Sequence, residues 1–252
     1  MEDNYNKYIK ELYDNPKLYI NEFINYEDDI YFWPKIIKMY KPKNVLEIGI
    51  GNGRLINLLH GYVEKYDGID LSHELVDYCR KKYDYDNVSL YNQDLKKCRL
   101  NNIYDLIILP FNVINNFYSE NDIYNAFNNL KKISDKKTII VIDTINPKIE
   151  DLNDREEFVK TNEFNMDDQK VLVLENKKYN NINSTCIYKK RYISSEGTII
   201  KESILPNKIF FHSELQLLIK HYGFEIIDIY GDYNFEKISN QSRKQIFVIR
   251  RK

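Results

Sequence analysis

The sequence predicts an α/β fold built on a doubly wound, mostly parallel sheet. Short apolar runs alternate with helical stretches over residues 41–149, and this alternation is typical of parallel sheets. The alternation stops after Pro147 and returns near residue 209, so a segment of different character interrupts the α/β domain. Three glycines directly after the first apolar run are a further sign, because glycine loops after strands commonly bind nucleotide-like ligands.

The first five strands of the sheet are predicted in order from residue 44. The predicted strands are Asn44–Ile48, Lys65–Asp70, Asn87–Tyr91, Tyr104–Leu109 and Thr138–Ile142. A helix is expected to begin with Arg54, and Ser72 and Ser119 are expected to cap the next two helices, because a serine oxygen accepts N–H groups of the first turn.

Residues 150–208 are predicted to form an inserted antiparallel β meander. Strand-like runs there are separated by turn signals at 166–169, 180–184 and 194–197. After this insert, Ser213 and Gln216 predict a capping box for a final helix. The last two strands of the α/β domain are predicted at 225–230 and 245–250.

Composition limits the possible functions. The chain has 252 residues, and its net charge of −1 gives no general attraction to nucleic acid or an anionic membrane. Three widely spaced cysteines fit neither a disulfide framework nor a structural zinc site. The N-terminal residues contain no apolar signal segment, and no run reaches the roughly 18 apolar residues of a membrane helix. We therefore expect a cytoplasmic protein.

The glycine loop in VLEIGIGNGRL narrows the ligand class. Its spacing is GxGxG, at Gly49, Gly51 and Gly53, and Arg54 stands where a dinucleotide fingerprint has its third glycine. Glu47 precedes the loop, and a carboxylate there would repel a pyrophosphate. It suits a ligand with cationic groups and no phosphate, and S-adenosylmethionine (SAM) is such a ligand.

Two further acids follow the second and third predicted strands. Asp70 ends the strand in YDGIDLS, 17 residues after Gly53, where it can accept hydrogen bonds from ribose hydroxyls. Asp94 in YNQDL can accept from an adenine amine, with Leu95 packing near the base. Because the carboxyl ends of parallel strands share one edge of the sheet, these acids are expected to line one ligand site.

The motifs together resemble one family. In order, VLEIGIGNGRL, YDGIDLS, NQDL, YDLIILPFNVINNF and VIDTINP look like the class I SAM-dependent methyltransferases, in particular the bacterial branch that acts on small molecules. EDDIYFW before the glycine loop, and FFHSEL, YGFEIIDIYGDY and IFVIRRK near the C-terminus, also look like that branch. The resemblance covers most of the chain and is weakest over 150–208.

The resemblance implies a fold, a cofactor and site residues. The fold would be a Rossmann-like, seven-stranded sheet in the order 3-2-1-4-5-7-6, with residues 1–40 covering the active site and the insert forming a substrate cap. SAM would be bound by the glycine loop and the residues after three strands. These cofactor-binding residues would be Glu47, Gly49, Gly51, Gly53, Asp70, Leu71, Asp94, Leu95 and Phe111.

The acceptor is predicted only by class. LPFN after the fourth strand replaces the Asn-Pro-Pro-aromatic motif of enzymes that methylate nucleobases, so we expect a small-molecule amine or hydroxyl. No carboxylate set like that of the metal-dependent catechol branch is present, so no metal is expected. Weak catalytic candidates are His212, Asn112 and Tyr13. Two alternatives stay open: a non-catalytic SAM-binding or scaffold protein of this fold, and a nicotinamide-dependent oxidoreductase.

Overall fold

The computed structural model describes Tyr8 and residues 15–252, and the chain forms two compact units. One unit combines the described residues up to Tyr26 with residues 148–209, and the other combines residues 27–147 with 210–252. The sequence placed these boundaries at 40/41, 149/150 and 208/209. The helix before the first strand therefore belongs with the α/β unit, while the covering and capping roles of the other segments stay predictions.

The bounds of the elements follow chain order. The strands are β1 Asn44–Ile48, β2 Lys65–Asp70, β3 Val88–Asn92, β4 Leu106–Leu109, β5 Ile139–Ile145, β6 Arg155–Met166, β7 Gln169–Asn180, β8 Thr185–Ser194, β9 Ile199–Lys208, β10 Phe224–Tyr230 and β11 Lys244–Arg251. The α-helices bounded within residues 15–252 are α1 Pro16–Phe23, α2 Phe32–Tyr40, α3 Arg54–Leu59, α4 His73–Lys82, α5 Glu120–Lys132 and α6 His212–His221.

The α/β unit contains a seven-stranded sheet in the order β3-β2-β1-β4-β5-β11-β10. β11 runs antiparallel to both β5 and β10, and the other pairs are parallel. With β10 and β11 counted as the sixth and seventh strands of this sheet, the order is 3-2-1-4-5-7-6. The predicted fold class is confirmed.

The sheet is buried on both faces, as parallel sheets usually are. Every residue of β4 is buried; Ile107 and Leu109 point into one hydrophobic cluster, and Leu106 and Ile108 into the other. The apolar residues of β1 and β5 are likewise divided between these two clusters, one on each face of the sheet. This burial leaves the strand ends as the places where polar side chains can function.

Helix starts agree with the sequence at three of four positions, and α3 begins at Arg54 as expected. The Ser72 hydroxyl accepts the Leu75 N–H at 3.1 Å, and the Ser119 hydroxyl accepts the Asp122 N–H at 3.0 Å. The capping box predicted from Ser213 is wrong, because α6 begins two residues before the start that a Ser213 cap requires. The helix starts at His212, and residue 213 already lies in its first turn.

The other unit contains the predicted meander, β6 to β9, each strand antiparallel to the next. Within this unit, α1 provides Glu22 to a buried ion pair with Lys190 of β8, at 2.6 Å. The Tyr192 hydroxyl donates to the other Glu22 oxygen at 2.8 Å, and Glu175 lies 3.3 Å from the Lys190 ammonium. Both carboxylates thus have a partner inside their own unit.

The longest α-helix whose bounds lie within residues 15–252 has 13 residues. None of the described helices is long and apolar enough to cross a membrane.

Candidate functional site

The glycine loop lies at the carboxyl end of β1 in the α/β unit. Gly49, Gly51 and Gly53 have φ of 79°, 53° and 76°, a left-handed conformation that side chains disfavour. A Cβ at Gly53 would lie 2.3 Å from the Tyr83 ring, and one at Gly49 would lie 2.5 Å from a Val113 methyl. The loop therefore needs glycine for its backbone conformation and, at these two positions, for close packing.

Glu47 is buried at the base of this loop, with 2% of its surface exposed. Burial raises the pKa of its carboxyl to about 8, although the hydrogen bond from Tyr66 and the charge of Arg54 lower it. The Tyr66 hydroxyl donates to Glu47 Oε2 at 2.6 Å. Glu47 Oε1 accepts no hydrogen bond from any residue that the structure describes. One carboxyl oxygen is therefore available to a ligand.

Asp70 ends β2 and supports the same loop. Its Oδ2 accepts the Gly51 N–H and its Oδ1 accepts the Ser72 N–H, both at 2.9 Å. The residue is 8% exposed, and burial raises the pKa of its carboxyl. Asp70 therefore holds the glycine loop as well as standing at the strand end where a ligand hydroxyl was predicted.

The residues after β3 lie beside the end of β2. The Gln93 N–H donates to the Asp70 carbonyl at 3.0 Å, which brings the two strand ends together as predicted. Asp94 Oδ1 accepts the Lys96 N–H at 2.9 Å and caps a short 3-10 helix. Leu95 is buried and Leu71 is exposed. The adenine and ribose roles predicted for these residues remain predictions.

Phe111 and Asn112 form the connection after β4, here called the β4 loop. Both are left-handed, with φ of 50° and 65°, and a left-handed non-glycine residue costs about 1–2 kcal/mol. Asp143 Oδ2 accepts the Phe111 N–H at 2.9 Å, and the Asp143 carbonyl accepts the Asn112 N–H at 3.0 Å. The Asn112 side-chain oxygen accepts the Ile145 N–H at 2.9 Å. The end of β5 thus fixes this loop.

Sequence reasoning missed the pairing of Arg54 with Asp29. The Arg54 guanidinium donates to both oxygens of Asp29, at 2.5 and 2.7 Å, and the Trp33 indole N–H donates to Asp29 at 2.7 Å. Asp29 is fully buried, and Arg54 also lies over the Phe111 ring, 5.7 Å from its centre. Two signals existed: an arginine in place of the third glycine, and an acid four residues before the only tryptophan.

Asp143 on β5 has two side-chain partners from the C-terminal part of the chain. Lys244 Nζ lies 3.1 Å from one carboxylate oxygen, and the Tyr233 hydroxyl donates to the other at 2.7 Å. The carboxylate is 0% exposed. No sequence signal joins these residues, because they are 90 and 101 positions apart.

His212 begins α6, and both of its ring nitrogens have partners. Gln245 Nε2 donates to the carbonyls of Ile145 and Phe210, at 2.9 and 2.7 Å, so its Oε1 can only accept. His212 Nδ1, 3.2 Å from that oxygen, is therefore the donor. The other nitrogen then accepts from Gln216 at 2.9 Å. Tyr13, another of the weak catalytic candidates, lies outside the described residues.

Among the described residues, Tyr8 and 15–252, no group of three or more His, Cys, Asp or Glu side chains is arranged to hold a metal ion.

Comparison with known proteins identifies the architecture. Residues 45–137 match the family model described as "Methyltransferase domain", and this segment includes the glycine loop, Asp70, Asp94 and the β4 loop. The chain has the class I, SAM-dependent methyltransferase fold. The resemblance seen in the sequence is confirmed at this level. None of the curated proteins compared with the chain by sequence matches it.

Three solved methyltransferases illustrate the likeness in fold. An S-adenosylmethionine-dependent methyltransferase from Clostridium acetobutylicum is 18% identical with a TM-score of 0.75, over 98% of this chain and 99% of that one. The CcbJ methyltransferase from Streptomyces caelestis is 20% identical with a TM-score of 0.74, over 86% and 92%. The sugar N-methyltransferase KedS8 from Streptoalloteichus sp. is 12% identical with a TM-score of 0.72, over 93% and 92%.

Proposed function

We propose that this chain binds SAM at the carboxyl ends of β1, β2 and β4 and transfers its methyl group to a small molecule. The acceptor atom is an amine nitrogen or a hydroxyl oxygen, and the amine is favoured. The observation that carries this proposal is the charge balance at the glycine loop. Glu47, Asp70 and Asp29 surround it, while Arg54, which lowers the Glu47 pKa, is already paired with Asp29.

The residues present fit the cofactor by their chemistry. Glu47 offers one carboxyl oxygen without a described donor, and that oxygen suits an ammonium group. Asp70, at the end of β2, keeps lone pairs for ribose hydroxyls beyond the two backbone N–H groups it accepts. A pyrophosphate would instead meet buried acids and an arginine that is already neutralised. The arrangement therefore favours a cationic nucleoside over a dinucleotide.

When bound, SAM supplies a methyl carbon activated by the sulfonium. The chain's residues then have to align the acceptor and exclude water, because an in-line displacement needs little else. The fixed conformation of the β4 loop suits this role. Phe111 carries the loop's apolar surface, and Asn112 is anchored by its side chain.

An amine acceptor is favoured because the described α/β unit offers no prepared base. A hydroxyl acceptor requires a group that removes its proton, and such a base contributes about 10²–10⁴-fold. His212, the best-placed histidine in the sequence, uses both nitrogens in hydrogen bonds to Gln245 and Gln216. KedS8, one of the similar structures, is a sugar N-methyltransferase, which supports an amine-bearing substrate.

The test uses SAM labelled in its methyl group and the purified chain with pooled small-molecule amines and alcohols. Transfer of label to an amine is the expected result. Calorimetry with SAM, S-adenosylhomocysteine and NADH comes first, and SAM at about 100 times its dissociation constant should stabilise the fold by roughly 2.7 kcal/mol. Binding of NADH alone would contradict the proposal. Tight SAM binding with no label transfer to any acceptor would favour a scaffold protein.

A further inference from the structure

The β4 loop has a conformation that its own residues disfavour. Phe111 and Asn112 are consecutive left-handed residues and neither is glycine. Such a pair persists only where surrounding groups determine it, and strained backbone of this kind is common at functional sites. Three of the hydrogen bonds that hold it join it to one place, the end of β5, through Asp143 and the Ile145 N–H.

We propose that Asp143 and Asn112 are positioning residues for methyl transfer, because they tether the β4 loop to β5 and hold it against the glycine loop. The inference rests on the proposed function. Asp143 is fully buried, so it acts through the loop and does not touch the acceptor. Asn112 provides the second tether with its side-chain oxygen.

Residues at the two loops and directly beside them are in contact. The Phe111 ring lies under the Arg54 guanidinium, and Arg54 directly follows the last glycine. Val113, the next residue after the β4 loop, packs where a Gly49 Cβ would be. A shift of the β4 loop would therefore change the space beside the residues predicted to hold SAM.

The tether itself is rigidly supported. The Lys244 ammonium neutralises the Asp143 carboxylate, and the Tyr233 hydroxyl donates to the same oxygen as the Phe111 N–H. Lys244 also lies over the Tyr233 ring, 4.8 Å from its centre. The acceptor oxygen for Phe111 is thus fixed from the β11 side of the sheet.

A matched pair of double variants separates the tether from the charge. D143N/K244M removes both charges and keeps a side-chain oxygen for the Phe111 N–H, whereas D143L/K244M removes the charges and the oxygen. A misplacement of about 1 Å costs roughly 100-fold in rate. We expect D143L/K244M to lower kcat about 100-fold, with less than about tenfold change in SAM affinity. D143N/K244M should stay within about tenfold of the wild-type kcat.

Hydrogen exchange provides a readout that needs no acceptor. The Phe111 amide should be protected in the wild type and in D143N/K244M, and its exchange should rise at least about tenfold in D143L/K244M. Equal protection in all three proteins would overturn the proposal, as would equal kcat in the two double variants. A wild type that does not bind SAM would refute the proposed function while leaving the exchange result to decide on the tether.

Asn112 allows a second test if D143L/K244M does not fold. N112D keeps the oxygen that accepts the Ile145 N–H, and N112G loses it while keeping a residue that tolerates positive φ. Both variants lose the amide nitrogen. We expect N112D to retain at least about ten times the kcat of N112G. Equal losses would mean that the amide nitrogen matters and the tether does not.

Discussion

The glycine loop and the β4 loop follow neighbouring strands and solve the same problem in different ways. Both loops turn sharply at the carboxyl edge of the sheet, and both need residues with positive φ. After β1 the sequence supplies glycine, for which this conformation costs little. After β4 it supplies phenylalanine and asparagine, and hydrogen bonds from β5 hold them in place. The conformation of the glycine loop follows from its own residues, whereas the conformation of the β4 loop depends on residues that are distant in the sequence.

Each loop also has a buried carboxyl group beneath it, and the two differ in their partners. Asp143, under the β4 loop, lies beside the Lys244 ammonium. Glu47, under the glycine loop, has only a tyrosine hydroxyl as hydrogen-bond partner among the described residues. The carboxyl group left without a cationic side chain of its own is therefore the one best suited to a cationic ligand.

Arg54→Met should have the largest effect, because Arg54 contacts both regions. The change leaves the fully buried Asp29 without its cation, and breaking a buried ion pair in this way costs about 3–5 kcal/mol. Urea denaturation should show this loss in the free energy of unfolding. The control is D29N/R54M, which removes both charges and still accepts the Trp33 N–H. If it is as unstable as R54M, the uncompensated charge is not the cause.

Gly53→Ala should come next, at about 2–4 kcal/mol. A left-handed alanine costs about 1–2 kcal/mol, and its Cβ would meet the Tyr83 ring at 2.3 Å and the Cys79 sulfur at 2.8 Å, so overpacking adds to the strain. Gly61→Ala is the matched control, because nothing lies within 4 Å of a Cβ there, and it should change stability by less than about 0.5 kcal/mol. Similar thermal melts for both variants would contradict this account of the glycine loop.

The contrast between the loops explains what could be read from the sequence. The strands, the insert and the glycine loop were predictable because their signals are local: alternation of apolar runs, turn residues, and glycines spaced by two. The order of the strands in the sheet was implied only by the resemblance to the class I methyltransferases. The alignment of Asp70 and Asp94 at one edge also followed from the topology of parallel strands. The helix start at His212 was missed because Ser213 is a residue type that commonly caps helices, and it predicted a later start.

The partners of Asp29 and Asp143 could not be predicted, for a physical reason. Asp29 pairs with a residue 25 positions away, and Asp143 pairs with one 101 positions away. Only the folded sheet brings these groups together, and a single aspartate after a strand looks the same whether it binds a ligand, a metal or a lysine. The left-handed Phe111 likewise has no local signal.

Asp70→Ala should weaken SAM binding by roughly 10- to 150-fold, since hydrogen bonds to a charged group contribute about 1.5–3 kcal/mol. From the sequence alone, little effect on folding would be expected for an acid at a strand end. The structure changes that expectation, because Asp70 accepts the N–H groups of Gly51 and Ser72. The free energy of unfolding should therefore also fall, by about 1–3 kcal/mol. If calorimetry shows that the folded variant binds SAM with unchanged affinity, Asp70 is not part of the SAM site.

Glu47→Gln should give the smallest effect at pH 5, where Glu47 of the folded chain is neutral, and it tests whether the two buried carboxyl groups really differ. The pKa of Glu47 is raised from 4.5 to about 8 by burial, so the folded chain binds more protons than the unfolded chain between these values. The stability that Glu47 contributes is then complete below about pH 4.5 and is lost as the pH rises through 8.

Urea denaturation at pH 5 and pH 8.5 measures this loss. The wild type should lose at least about 1 kcal/mol relative to E47Q between these values, because one pKa unit corresponds to about 1.4 kcal/mol. Tyr66→Phe removes a hydrogen bond that lowers the Glu47 pKa, so it should enlarge the difference. Parallel changes in wild type and E47Q would show that Glu47 is already ionised at neutral pH. Saturating SAM should also reduce the difference, because an ammonium group beside the carboxylate would favour its charged form and lower its pKa.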